Sequence, residues 1–288
     1  MTVCIGEVYI FVQMYPVIPP SAPGAPAAGP RVRAGRISMQ LALTRSSSQR
    51  IWSGTASAAA DLASRALPFV LSLIAGSTDI IGFLGLNGLF TAHITGNVVV
   101  LAAHIVAGDP TIFSYVLSVP VFMMALFLTR LVAGGLEQIG VSTLRALLLL
   151  QLFFLVAFLS TCVAAGPWRD AHAILAVIAG MCGVAAMAVQ NALVQISLTN
   201  TPTTAVMTTN ITHFMLDLGE ALVGRDRAQA ARARVRAMHT LPMIVGFTIG
   251  CVFGAAFEAA AGLWSLALPA ALALLAFAMS LADRGHAS

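Results

Sequence analysis

The chain is 288 residues long, 59% of its residues are hydrophobic, and only 9% are charged. A soluble domain usually has about 45–50% apolar and about 25% charged residues, so this composition excludes a soluble globular protein. The net charge is +4, and all fifteen basic residues are arginines, which lie outside the long apolar runs or, like Arg130 and Arg145, near their ends. Arginines placed in this way indicate membrane topology rather than a nucleic-acid-binding surface.

The first sixty residues differ from the rest of the chain. Residues 16–30 are rich in proline, alanine and glycine, and residues 31–50 are rich in arginine and serine. Because such a composition cannot bury a core, we expect residues 1–60 to be disordered. Met39 could equally be the true start of the protein. A single membrane domain is expected over residues 61–284.

Six apolar runs follow, each close to the length of about 20 residues that crosses a bilayer core. In chain order they are Ala66–Leu86, Ile112–Gly134, Thr143–Ala165, Ala171–Gln195, Thr240–Ala261 and Leu263–Leu281. Two further segments, Ala92–Ala107 and Thr204–Val223, carry polar residues and are either short spans or re-entrant half-helices. The sequence therefore predicts an all-α, polytopic helical membrane protein with six to eight spans.

The two polar segments resemble each other at a constant offset of 113 residues, which places Thr91 on Thr204. Between residues 91–98 and residues 204–211, a threonine, an alanine, a second threonine and an asparagine are identical. The same offset aligns the first apolar run with the fourth. We therefore expect two duplicated halves, at about residues 66–165 and 171–282, as in many transporters.

The arginines predict the orientation of the chain. Residues 31–65 and 225–236 are basic and Arg284 follows the last run, so both termini are predicted on the cytoplasmic side of a bacterial inner membrane. If the two polar segments re-enter, the chain has six spans and inverted halves. If they cross, it has eight spans and parallel halves. Re-entry places Arg130 and Arg145 on the cytoplasmic side and Arg169 outside, whereas eight spans reverse all three. The positive-inside rule therefore favours six spans by one residue.

A motif near the first polar segment points to a family. The run G-S-T-D-I-I-G-F at residues 76–83 is followed by G-L-F-T-A-H-I-T-G-N at residues 88–97. Together with the Q-N pair at residues 190–191, this pattern resembles the YoaK-like family of bacterial inner-membrane proteins over about residues 65–282. The second half departs from the pattern, since T-T-N replaces T-G-N at residues 208–210. The resemblance implies a fold and a location, but no chemistry, because the function of that family is unknown.

Asp79 lies near the middle of the first apolar run. A charge at that depth costs about 2.5–3.5 kcal/mol or more on insertion scales, so its side chain should face the bundle interior. It could bind a proton, a cation or a substrate, or it could be a structural hydrogen-bond node. No basic residue lies at a similar depth, so Asp79 should be neutral, hydrated or paired with a histidine.

The other candidate residues lie on the two polar segments and on the fourth run. His93, Asn97 and His104 share one helical face, and residues 95–97 could form an unwound turn whose freed backbone groups hold an ion or a substrate. Each polar side chain could instead join two helices through hydrogen bonds. With Asp79, the predicted substrate- or ion-binding residues are His93, Thr95, Asn97, Gln190, Asn191, Asn210, His213 and Asp217.

No spacing in the sequence indicates a metal site, a cofactor or an active site. His93 and His104 would lie about 16 Å apart along a helix axis, which is too far for one metal ion. The four cysteines form no C-x-x-C pair. Neither H-E-x-x-H nor G-x-S-x-G occurs, so we expect the protein not to be an enzyme.

Glycines at regular spacing predict close helix packing. Gly82, Gly85 and Gly88 could let a neighbouring backbone approach or let the first helix unwind. Gly246, Gly250 and Gly254 form a G-x-x-x-G-x-x-x-G stripe, through which the chain could also oligomerise.

These features predict a transporter of a small polar or ionic solute, with proton coupling through Asp79, His93 or Asp217. A transporter should have one polar cavity, ringed by Asp79, Asn97, Gln190, Asn191 and Asn210. The alternative is a membrane scaffold or sensor whose arginine-rich loop, residues 225–236, is its cytoplasmic contact. In a scaffold the same polar groups should be satisfied pairwise, with no cavity. Besides the solute or proton, the only expected partner is the lipid bilayer.

Overall fold

A computed structural model describes residues 66–108, 112–165, 174–199 and 201–282. The predictions for residues 1–60 and for the start of the protein lie outside the described residues. Within the described ranges every regular element is helical, which confirms the predicted all-α class. The elements are α1 (Ala66–Gly85), α2 (Ile94–Ala107), α3 (Phe113–Gln138), α4 (Thr143–Ala165), α5 (Ile174–Ser197), α6 (Met207–Val223), α7 (Arg227–Ala261), a 3₁₀ turn (Gly262–Leu266) and α8 (Ala267–Ala282).

Several helices have the length and surface of membrane-spanning segments. The five stretches long and apolar enough to cross a membrane are Ala66–Gly85, Phe113–Gln138, Thr143–Ala164, Ile174–Ser197 and Arg227–Leu281. α2 is apolar but shorter. Large apolar side chains cover the outside of α3, where Met123 is 64% exposed and Phe127 is 60% exposed. Such a surface would be unfavourable in water and is favourable next to lipid, as expected for an integral membrane protein.

The start of α7 differs from the predicted span, which began at Thr240. The helix begins at Arg227 and includes most of the arginine-rich segment. The side chain of Asp226 caps it by accepting a hydrogen bond from the N–H of Ala228 at 2.8 Å. Alanine and arginine are good helix formers, and the segment is held against α6 by the Arg236–Asp217 ion pair. Hydropathy located the apolar part of the helix and missed its polar first turns.

The glycine stripe of α7 packs against α1. Gly246, Gly250 and Gly254 are buried, and a Cβ atom at Gly250 would overlap the backbone of Leu73 on α1. Gly76 of α1 faces the backbone of α7 in the same way. Small residues on both helices therefore allow the two backbones to approach closely. The stripe packs against a helix of the same chain and is not free to bind a second copy. Oligomerisation stays a prediction, and it would need another surface.

α1 and α5 run antiparallel in the centre of the fold. Near the start of α5, a Cβ at Gly180 would meet the side chains of Leu86 and Leu89, beyond the end of α1. Near the end of α5, Gln190 donates a hydrogen bond to the carbonyl oxygen of Leu71, close to the start of α1, at 2.8 Å. The main buried cluster joins these helices to α4 and α8 through residues that include Leu71, Ile74, Leu147, Leu155, Met187, Leu193 and Ala273.

After α1 the chain turns back into the bundle. Asn87 and Gly88 have φ angles of 53° and 89°, a left-handed conformation that glycine adopts without strain. Thr91 then lies between α1 and α5, where a Cβ at Gly82 or Gly183 would come within 2.9 Å of its methyl group. The two glycines therefore make room for the returning segment, residues 89–93.

The segment that contains α2 begins and ends near the same end of α1. The hydroxyl of Tyr115, in the first turn of α3, donates a hydrogen bond to the carbonyl oxygen of Asn87, which follows the end of α1. Tyr115 also stacks on His104 of α2, with ring centroids 5.1 Å apart. The returning segment and α2 therefore begin and end close to each other, and together they are called the hairpin below.

Candidate functional site

Asp79 holds the hairpin against α1 by accepting hydrogen bonds from its backbone. The residue lies on α1, six residues before the helix ends, and it is 4% exposed. Its Oδ1 atom accepts hydrogen bonds from the N–H groups of Thr91 at 2.8 Å and Ala92 at 2.7 Å, and from the Thr91 hydroxyl at 3.3 Å. These amides lie just ahead of α2, where helical hydrogen bonding has not yet begun. The carboxylate therefore satisfies buried donors that would otherwise be unpaired.

The second oxygen of Asp79 contacts a histidine. Oδ2 lies 2.5 Å from Nδ1 of His93, the residue that precedes α2. Of the three arrangements that the sequence left open for Asp79, pairing with a histidine is the one found. The Asp79 side chain is only 6% exposed, whereas the His93 side chain is 37% exposed. His93 therefore connects a buried carboxylate to the open space around it.

That space is a cavity of about 560 Å³ between α1, the start of α2 and α7. Its wall is mostly apolar, and it is open beside α2, where Val99 is 71% exposed. The residues that line it are Asp79, Ile80, Phe83, Phe90, His93, Thr95, Gly96, Val99, Phe247 and Cys251. Of the predicted site residues, Asp79, His93 and Thr95 line this cavity.

Aromatic rings form a continuous series along the cavity wall. The centroids of Phe83 and Phe90 are 4.7 Å apart, those of Phe90 and His93 are 5.8 Å apart, and those of His93 and Phe247 are 5.6 Å apart. The three phenylalanines and Cys251 were not among the predicted site residues. In a chain so rich in apolar side chains, nothing in the local sequence distinguishes them from residues that face lipid.

Asn97 holds the hairpin instead of lining the cavity. Its Oδ1 accepts a hydrogen bond from the N–H of Phe90 at 2.9 Å, and its Nδ2 donates one to the carbonyl oxygen of Phe90 at 2.8 Å. The side chain is fully buried. Both ends of the amide are thus used by the backbone seven residues earlier.

The second half of the chain contains a similar arrangement. Nδ2 of Asn210 donates to the carbonyl oxygen of Thr203 at 2.5 Å, and the Thr203 hydroxyl donates to Oδ1 of Asn210 at 3.2 Å. The separation is again seven residues. Next to it, the hydroxyl of Thr204 accepts a hydrogen bond from Nε2 of Gln190, seven residues before the end of α5, at 2.9 Å.

Gln190 belongs to a buried network that is separate from the cavity. Its Oε1 accepts a hydrogen bond from Nε2 of Gln151 on α4 at 2.7 Å. Asn191 donates to the carbonyl oxygen of Met187 within α5 at 3.0 Å. Neither residue lines the cavity, and Asn210 does not line it either. The structure therefore does not gather the predicted asparagine and glutamine side chains around one site.

The two remaining candidates lie near the surface of α6. His213 is exposed. Asp217 accepts hydrogen bonds from Nε and Nη2 of Arg236 on α7, at 2.9 Å and 2.5 Å. This ion pair joins α6 to α7 at a distance from the cavity, and Arg236 was expected only as part of the basic loop.

Hydrogen exchange can test the roles of the two asparagines. We expect Asn97→Leu to raise amide exchange in residues 89–93 only, and Asn210→Leu to raise it in residues 201–206 only. Each change leaves a backbone N–H or C=O without its partner, at a local cost of about 1–3 kcal/mol. Mass spectrometry of the purified protein in detergent would measure both segments. Unchanged exchange in the segment that belongs to each variant would contradict this assignment.

Comparison with known proteins gives a family and no activity. A family model described as a protein of unknown function (DUF1275) matches residues 67–279. No curated protein matches the chain. No solved structure matches it either. Within the described residues, no group of three histidine, cysteine, aspartate or glutamate side chains is placed to hold a metal ion.

Proposed function

Since the chain belongs to the DUF1275 family, whose function is unknown, we propose an activity from its own residues: proton-coupled transport of a small ionic solute. The membership agrees with the resemblance to the YoaK-like proteins. The observation that carries the proposal is the Asp79–His93 pair on the wall of an open cavity, within the apolar helices. An intramembrane ionisable pair of this kind is costly to bury, and such pairs commonly mark a substrate, ion or proton pathway.

The pair has the properties of a proton-binding site. The imidazole of histidine is the side chain that most readily takes up and releases a proton near neutral pH. The backbone donors of Thr91 and Ala92 and the positive end of the α2 dipole face the Asp79 side chain. His93 can therefore become an imidazolium without leaving an unpaired charge in the membrane. Its other ring nitrogen, Nε2, would exchange the proton with the cavity.

We also propose that the fold consists of two inverted repeats, with six spans and two re-entrant half-helices, α2 and α6. The antiparallel course of α1 and α5 supports an inverted relation. The matching hydrogen bonds of Asn97 and Asn210 to the residue seven positions earlier support the duplication. The Tyr115–Asn87 hydrogen bond supports re-entry of the first half-helix. Half-helices that meet inside a bundle are a common way to build a transport site.

The two proposed repeats differ in charge. In the second half the position of His93 is taken by Val206, and Gln190 contacts Thr204 where Asp79 contacts Thr91. At these equivalent positions, only the first half carries a titratable pair. We propose that the first half binds the proton and the solute, while the second half holds the bundle together. The bacterial inner membrane, with cytoplasmic termini, remains the proposed location.

Proton flux in proteoliposomes tests the proposal. Asp79→Asn keeps the shape of the side chain and an acceptor for the two amides, but it removes the charge. With a pH-sensitive dye inside the vesicles and pools of small ionic metabolites outside, we expect flux to fall by about a hundredfold or more. Glu137→Gln, which alters an exposed carboxylate paired with Arg130, is the matched control and should leave the flux unchanged. Solute-dependent flux that survives in Asp79→Asn would exclude proton transfer through Asp79.

A membrane scaffold is the second candidate, and one observation favours it. Asn97, Gln190 and Asn210 are satisfied pairwise by backbone or side-chain partners. If the protein is a scaffold, no pool of metabolites should produce proton flux in proteoliposomes that contain the wild type. A scaffold also requires Asp79→Asn to act only by lowering stability. Absence of flux in the wild type, together with a less stable variant, would favour the scaffold over the transporter.

A further inference from the structure

The cavity beside Asp79 combines aromatic side chains with a buried carboxylate. Phe83, Phe90 and Phe247 lie on its wall together with Asp79 and His93. The face of an aromatic ring carries partial negative charge and attracts cations, and the attraction is strongest where water is excluded. Ammonium groups with apolar substituents are bound in proteins by such walls. The residue types on this wall therefore favour a ligand whose positively charged group carries apolar substituents.

The charge of the wall depends on one proton. The titratable groups that face the cavity are Asp79 from α1, His93 from the start of α2 and the thiol of Cys251 from α7. Among the residues that the structure describes, no arginine lines it. With a neutral imidazole, the Asp79–His93 pair carries one negative charge. With an imidazolium, the pair is neutral and offers a bound cation no electrostatic attraction.

From this geometry we propose that the cavity binds a lipophilic organic cation, an amine or a quaternary ammonium, and that a proton on His93 excludes it. The inference rests on the proposed transport function, whose ionic solute it identifies. Because the cation and the proton compete for the same negative charge, their movement through the protein would be an exchange. The apolar wall, with Ile80 and Val99, would contact the hydrocarbon part of the cation.

Cys251 provides a test of the charge preference that does not require transport. Its thiol lies on the cavity wall, with Sγ 3.5 Å from the carbonyl oxygen of Gly76. In a full-length variant whose other three cysteines are serine, its reaction rates with a trimethylammonium-bearing and a sulfonate-bearing methanethiosulfonate can be compared. Both reagents attack the same thiolate, so the ratio of their rates, normalised to free cysteine, reports the cavity potential.

We expect the cationic reagent to react at least about tenfold faster, since a negative site concentrates cations by about 10–1,000-fold. Asp79→Asn should abolish the preference, and Glu137→Gln should preserve it. Equal rates, or a faster reaction with the sulfonate reagent, would overturn the proposal. A faster reaction with the sulfonate reagent would instead indicate an anion site at the start of α2.

A defined cation tests the binding itself. Benzyltrimethylammonium should protect Cys251 from a neutral maleimide, and neopentylbenzene, its uncharged analogue, should not. Protection should require at least about tenfold more cation in Phe247→Leu, as expected for the loss of a desolvated cation–π contact. Phe253→Leu is the matched control, since Phe253 lies on α7, is 55% exposed and does not line the cavity.

The proton competition predicts the direction of the pH dependence. Protection by benzyltrimethylammonium should be tighter at pH 8 than at pH 5, because His93 is protonated at the lower pH. His93→Gln should remove this difference, whereas His239→Gln, at an exposed position on α7, should retain it. Equal protection by the neutral analogue, or pH-dependent protection that survives in His93→Gln, would refute the inference.

The outcomes separate this inference from the proposed function. If Asp79-dependent proton flux occurs with a neutral or anionic solute and no cation protects Cys251, the cation site is wrong and the transporter stands. If the cation binds as described but drives no proton flux in proteoliposomes, the site stands and transport is wrong.

Discussion

Asp79→Leu should lower the free energy of unfolding by about 3–5 kcal/mol, the usual cost of breaking a buried pair by removing one partner. Leucine cannot accept the hydrogen bonds that the N–H groups of Thr91 and Ala92 donate to the carboxylate. Each donor left unpaired in the bundle costs about 1–3 kcal/mol. The returning segment would then lose its attachment to α1. Unfolding in mixed detergent micelles with increasing dodecyl sulfate would measure the change.

Asp79→Asn separates the structural role of this residue from its charge. The amide oxygen can still accept from both backbone donors, so we expect a loss of only about 1 kcal/mol. Glu137→Leu, at an exposed position on α3, is the control for replacing a carboxylate with leucine. A leucine variant as stable as the asparagine variant would show that the carboxylate does not hold the hairpin.

Gly250→Leu should be the most disruptive change on α7, with a loss of about 2–3 kcal/mol or more from overpacking. Even a Cβ atom at this position would overlap the backbone of Leu73, which cannot move aside as a flexible side chain can. The helix crossing of α1 and α7 would have to open, and the cavity between these helices would change shape. The same micelle titration and size-exclusion chromatography would detect the loss.

Gly135→Leu is the matched control for a leucine introduced in place of a helical glycine. A Cβ at Gly135 would meet nothing within 4 Å. Leucine is a better helix former than glycine, by somewhat less than the roughly 0.8–1 kcal/mol that separates alanine from glycine, so this variant should be as stable as the wild type or more stable. If both leucine variants kept wild-type stability, the close contact of α1 with α7 would not contribute to the fold.

The helices themselves could be predicted because hydropathy is a local property. α4 matches its predicted bounds, Thr143–Ala165, and α1 ends within one residue of its prediction. The polar segments that became α2 and α6 were recognised from their repeated threonines and asparagines. Asp79 and His93 were singled out because an ionisable group inside an apolar run requires a partner or a function.

The arrangement around Asp79 could not be predicted, because it depends on a change of direction in the chain. Asp79 and His93 are separated by a helix end, a left-handed turn at residues 87–88 and a non-helical return. The sequence placed a possible unwound turn at residues 95–97, but these residues are helical and the break lies before Ile94. Nor could periodicity show that Asn97 and Asn210 bind backbone atoms, since a buried amide can be satisfied by any nearby partner.

Composition and apolar periodicity were therefore sufficient for the class of protein, the helices and the residues that are expensive to bury. These properties depend on each residue and its near neighbours along the chain. The pairing of Asp79 with His93, the aromatic wall beside them and the contact of the α7 glycines with α1 depend on how the helices pack. Phe83 and Phe247 are far apart in sequence, and they line one cavity because small residues let α1 and α7 approach each other.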